Sequence, residues 1–65
     1  MKIIKVGNGY VTDIELSRGE IIKIEIDINK QPVSFNEEDT EQIKKIIEKN
    51  YQKKNIVAEI VIEDI

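Results

Sequence analysis

The chain reads as a single α+β domain spanning residues 1–65: a mainly antiparallel sheet of four to five strands, in the order β-β-β-(β)-α-β, with one helix packed on one face. Three observations predict this. Ile22, Ile24, Ile26 and Ile28 alternate with Lys23, Glu25 and Asp27, and a period of two sends successive side chains to opposite faces of a sheet. Glycine-bearing turns, Gly7-Asn8-Gly9 and Ser17-Arg18-Gly19, separate such stretches. Further on, Ile43, Ile46, Ile47 and Tyr51 change to the i, i+3, i+4, i+8 spacing of a helical stripe.

Taken in order, the first three strands form a meander. A three-residue loop at Gly7-Asn8-Gly9, with Gly9 left-handed, pairs Val6 with Tyr10, Ile4 with Thr12 and Lys2 with Ile14. The same device at Ser17-Arg18-Gly19 sets Leu16 opposite Glu20, Ile14 opposite Ile22, Thr12 opposite Ile24 and Tyr10 opposite Ile26. Both loops keep even positions together, and a two-residue loop at either place sets apolar positions against polar ones. Beyond Ile28, a two-residue turn at Asn29-Lys30 brings Val33 and Phe35 back as a short edge strand, where Pro32 needs no N–H. An extended loop is the equal alternative. Asn36 is a natural N-cap, with Glu37, Glu38 and Asp39 against the positive end of the helix dipole. Ser34 with Glu37 also fits a capping box. Lys49, Lys53 and Lys54 mark the helix end, and Asn55 takes the left-handed cap. A last strand from Ile56 to Ile62 points Ile56, Ala58, Ile60 and Ile62 inward and lies beside the first strand. The expected core is Ile4, Val6, Ile14, Leu16, Ile22, Ile24, Ile26, Ile28, Phe35, Ile43, Ile46, Ile47, Ile60 and Ile62.

Sixty-five residues lie near the lower size at which one core offsets the entropy of folding. There is no cysteine and no histidine, so neither a disulfide nor a thiolate metal site staples the fold. Self-association is the remaining aid. No apolar run approaches the roughly 18 residues that span a bilayer, and the opening Met-Lys-Ile-Ile-Lys-Val leads into alternating sequence rather than a signal-peptide core. A cytoplasmic chain with no membrane partner is expected. The net charge of −3 argues against general attraction to nucleic acid or anionic membrane. Heavy use of Ile, Lys, Glu and Asn with one Arg suggests an AT-rich genome, such as that of a low-GC bacterium or its phages.

The same inventory limits the chemistry. Without His or Cys, the commonest general base, the thiol nucleophile and the usual transition-metal ligands are missing. Ser17 and Ser34 stand in turn and cap contexts. The expectation is therefore no catalytic residue, no cofactor, no metal and no evident small-molecule substrate. Gly7-Asn8-Gly9 lacks the later glycine and the Lys-Ser/Thr pair of a phosphate loop, and it leads into a strand rather than a helix.

Three surface features remain. Asp13, Glu15, Glu25 and Asp27 share one face, read first as cross-strand pairing, with Asp13 opposite Lys23, and second as an acidic surface for a cation or a basic partner. Lys44, Lys45, Lys49, Lys53 and Lys54 form a basic cluster on the helix, where lysines complement the dipole. Phosphate binding there is the alternative, with Tyr51 as the one nearby aromatic and no arginine for base edges. Finally, Ile3, Val11, Ile21, Val57, Val61 and Ile65 place apolar side chains on the nominally polar face, a pattern that marks an interface. The leading expectation is a non-enzymatic interaction module, self-associating or modulating a larger protein through the outer sheet face and last strand, of the kind phages and mobile elements encode. The alternative is a small nucleic-acid-binding domain using the helix lysines.

Overall fold

The computed structural model describes residues 1–65 as strands β1 (Lys2–Val6), β2 (Gly9–Ser17) and β3 (Glu20–Asp27), helix α1 (Glu37–Lys53) and strand β4 (Ile60–Asp64). The sheet is antiparallel with order β3-β2-β1-β4, and α1 packs on one face. The last strand lies beside the first, as expected. It begins four residues later than its alternation suggests because the helix end holds the preceding chain. Ile56 donates its N–H to the Tyr51 carbonyl at 2.9 Å and Asn55 to Gln52 at 3.2 Å, with Asn55 at φ 55°. This is a Schellman closure, and it leaves Ile56 46% exposed instead of inward.

Both hairpin loops are two residues long, not three. At the first, Val6 faces Gly9 and Lys5 faces Tyr10, with Gly7 at φ 61° while Gly9 has no positive φ. A glycine at the first central position is the requirement of a type II′ turn. At the second, Ser17 faces Glu20, with Arg18 at φ 53° and Gly19 at φ 76°, the double left-handed signature of a type I′ turn. These primed turns match the right-handed twist of the strands. Each flips the parity of the strand it leads into, and each flip is reversed by an extra residue further along. The register shifts between Val11 and Asp13, making Thr12 the extra residue on β2, and again between Glu15 and Leu16, making Ile22 the extra residue on β3.

Parity inversion moves the core. Val11 is completely buried beside Ile4, and Ile21 packs inward instead of Ile22, which is 66% exposed at its bulge. Leu16 and Ile28 also leave the expected core, at 39% and 68% exposure, near the hairpin tip and past the end of β3. The centre consists of Ile4, Val6, Val11, Ile43 and Ile47, flanked by half-buried Ile14, Ile24, Ile26, Phe35 and Ile60 among others. Ile46 and Ile62 are half-buried at its rim.

Residues 33–35 do not extend the sheet at β3. The Asp27 carboxylate accepts the N–H groups of Asn29 (2.7 Å) and Lys30 (3.2 Å) and turns the chain back. Val33 then donates to the Val11 carbonyl at 3.0 Å, and Phe35 exchanges two 2.8 Å bonds with Lys2. The segment thus fills the cleft where β2, bulged at Thr12, splays from β1. It ends at Asn36, whose side-chain oxygen caps the helix by accepting the Asp39 N–H at 2.8 Å. Buried Thr40 donates its hydroxyl to the Asn36 carbonyl, closing the first turn.

Candidate interaction surface

With α1 on one face, the molecule offers an outer sheet face, two strand edges and the exposed side of the helix. On the outer face, cross-strand geometry gives Tyr10 an unusual reach. Lys5 stands opposite Tyr10 on one side of β1, and Ile3 stands opposite Glu63 on the other. The Tyr10 hydroxyl nevertheless donates to Glu63 Oε1 at 2.9 Å, so the side chain crosses β1 on the side that carries Ile3. This accounts for Ile3 being only 7% exposed on a face the helix does not cover. The bond to Glu63 and then burial raise the Tyr10 pKa.

The acidic residues of this face are mostly engaged. Glu15 is directly opposite Lys23, while Asp13 is opposite Glu25. The Lys23 ammonium reaches diagonally to Asp13 at 3.1 Å, and that hydrogen bond raises the lysine pKa. Glu25 accepts from Thr12 Oγ1 at 2.7 Å and pairs with Lys30 at 3.4 Å, contacts that lower its pKa. The hydrogen bond from Asn29 N–H is the leading cause lowering that of Asp27. At the end of the sheet, Lys2 joins Asp64 at 2.5 Å and Glu37 at 3.9 Å, tying β1 to β4 and to the start of α1. Their hydrogen bond raises the lysine pKa and lowers that of Asp64. These are cross-strand and end-to-end ties, and no three acidic side chains gather as a metal site.

The six expected interface residues divide. Val11 and Ile21 belong to the helix-facing side, a correction that follows from the inverted hairpin parity. Ile3 is on the outer face but covered. Val61 is half-buried opposite Lys5, while Val57 is 101% exposed and Ile65 74% exposed. What remains of the apolar outer surface therefore runs along β4 and the residues flanking it.

The two sheet edges differ. β3 is bulged at Ile22 and carries Lys23, two features that discourage edge pairing. β4 keeps an unbroken five-pair register with β1, and from Ile56 to Ile65 there is no Lys, Arg or Pro. The Tyr10 to Glu63 link and the Lys2 to Asp64 bridge have no local sequence signal, since both join residues more than fifty positions apart.

The helix lysines do not form one patch with a built pocket. Lys49 and Lys53 border a cleft of about 160 Å³ with Gly19, Ile21 and Asn50, but Glu20 lines it too. Asn50 Oδ1 is buried there without a partner. None of Lys44, Lys45, Lys49, Lys53 and Lys54 is in an ion pair. No helix is long and apolar enough to cross a membrane. The chain matches no protein-family model, no curated protein and no solved structure.

Proposed function

We propose that the chain is a non-enzymatic protein-interaction module that docks through β4 and the outer surface beside it, by self-association or by binding and modulating a larger protein. The observation that carries this reading is the unbulged, lysine- and proline-free β4 edge, flanked by Val57 and Ile65 with their side chains in water. An edge strand offers a row of free backbone donors and acceptors to an incoming strand, and neighbouring side chains select the partner. Natural sheets usually blunt such an edge, as β3 does here.

The test is a pull-down from the native host, including a differently tagged copy of the chain, read by mass spectrometry for wild type, Val57→Asp, Val61→Asp and a Lys49→Ala/Lys53→Ala variant. The reading expects both β4-region variants to lose what wild type retains, the lysine variant to keep it, and retention to survive raised salt. Phosphate contacts, in contrast, weaken steeply with salt. Retention unaffected by Val57→Asp and Val61→Asp, or lost with the lysines, removes this reading.

A further inference from the structure

The hydrogen-bond phase of β4 specifies a partner more narrowly. The Glu59 carbonyl accepts from Gly7 N–H at 2.8 Å, and Ile65 N–H donates to the Met1 carbonyl at 3.4 Å. Backbone groups of an antiparallel strand alternate in direction, so odd positions from 59 to 65 bond to β1 and Ile60, Ile62 and Asp64 direct theirs to solvent. Ala58 makes no backbone hydrogen bond within the molecule, which extends the free row by one residue.

We infer that a second copy of this chain occupies that row, its β4 antiparallel to the first about a twofold axis at Ile60. The inference rests on the interaction-module reading and adds the partner and the register. Free groups at even positions must meet even positions of the partner, which leaves few alignments. Setting Ile60 against the partner's Ile62 opposes Glu59 to the partner's Glu63, and like charges directly opposite destabilise a pair. Centring on Ile62 pairs Ile60 with the partner's Asp64 but leaves fully exposed Val57 and the unbonded Ala58 without partners. Centring on Ile60 opposes Ala58 to the partner's Ile62, Glu59 to the partner's Val61 and Val57 to the partner's Glu63, with no like charges opposed.

Charge complementarity favours the same alignment, because it sets Glu59, which has no ion-pair partner, beyond Val61, where centring on Ile62 sets Glu63, already bound to Tyr10. Lys5 forms no ion pair in the single chain and stands opposite Val61 on the outer face. The partner's Glu59 then lies just beyond Val61, two strand spacings or roughly 10 Å from the Lys5 backbone, within joint reach of the two side chains. Tyr10 already makes an equivalent jump across β1 to Glu63. The twofold creates the Lys5 pair twice, and the result is one continuous eight-stranded sheet with both helices on the same face.

Two cysteine pairs test the register in the untagged full chain. Odd positions form the close, non-hydrogen-bonded pairs between the two β4 strands, with Cα atoms about 4.5 Å apart, a separation that accepts a disulfide. Glu59→Cys/Val61→Cys should give a disulfide-linked dimer under mild oxidation, and Val61→Cys/Glu63→Cys, matched to the Ile62-centred register, should not. Sedimentation of wild type should show a concentration-dependent dimer. Lys5→Glu should weaken it roughly tenfold, the size of a pair of modest ionic contacts, and Lys5→Glu/Glu59→Lys should restore it. Cross-linking through the second cysteine pair, or failure of the charge swap to restore association, overturns the Ile60-centred dimer. A wild type that sediments as a monomer at all concentrations overturns it as well, and does so without touching the broader reading if Val61→Asp still abolishes capture of a host protein.

Discussion

An added Cβ at Gly9 would lie 2.7 Å from Cγ2 of Ile26, with Asp27 backbone atoms at 3.5 Å, whereas one at Gly19 would meet nothing within 4 Å. The two glycines are thus constrained by different physics. Gly19 sits at φ 76°, a region costly for β-branched residues but open to asparagine. Gly9 has an ordinary backbone and is constrained by close packing of β2 on β3. Gly19→Asn should leave the melting temperature nearly unchanged, while Gly19→Val should cost about 1–2 kcal/mol. Gly9→Ala should cost about 1–3 kcal/mol through overpacking, and Gly9→Asn should be no better. Chemical denaturation of the four variants checks the contrast, and tolerance of Gly9→Asn would show that the contact with Ile26 relaxes freely. The left-handed Gly19 was legible from turn chemistry. Assigning the same role to Gly9 was a misplacement by two residues, because Gly-Asn-Gly satisfies either a three-residue loop ending in glycine or a two-residue loop opening with one, and the deciding contact with Ile26 is remote in sequence.

At the scale of elements, the helix was readable almost to the residue because its end signals are local. Asn36, the acidic first turn and the left-handed Asn55 are all observed in place. Asn36→Ala removes the bond to Asp39 N–H and should lower stability by about 1 kcal/mol, measurable as a lower denaturation midpoint at unchanged slope. The strands were readable as strands, but their faces were not. A two-residue loop inverts side-chain parity and a bulge inverts it again, so the inversions at Thr12 and Ile22 hide behind unbroken alternation. The consequence is testable at the second bulge. Ile22→Lys should change stability by no more than about 0.5 kcal/mol, as for an ordinary surface position. Val11→Lys should prevent folding, since it places an unpaired ammonium in the centre of the core. Equal damage from both substitutions would return Ile22 to the core. For the interaction surface, Val61 on β4 and its flanking candidates Val57 and Ile65 survive the parity correction and Val11 and Ile21 do not, because only the latter lie on strands whose phase depends on a hairpin.

For the whole molecule, only eight of 65 residues are buried, so the ties that close the sheet around this small core carry weight. Lys2 is central to them, joining Asp64 at the far end of β4 and Glu37 at the start of α1. The direction of each pKa shift fixes how these ties respond to pH. Asp64, Glu25 and Asp27 have folded values below their ordinary ones. Their stabilising contribution is therefore complete above the usual carboxylate range of about 4 and is lost as pH falls through the depressed folded values. Lys2, Lys23 and Tyr10 are shifted upward. Their contribution is complete below the usual range near 10 and is lost only as pH rises through the raised values. With no histidine or cysteine, no side chain has its ordinary midpoint between about 5 and about 10. The melting temperature should accordingly vary little from about pH 6 to 9 and fall below about pH 4. Asp64→Asn should melt lower than wild type at pH 7 by an amount that shrinks on acidification and vanishes once Asp64 is protonated in both states. Calorimetric melts of the two proteins across this range decide it: a difference that persists undiminished at low pH would mean that Asp64 contributes through packing or geometry, and that the Lys2 tie does not close the sheet.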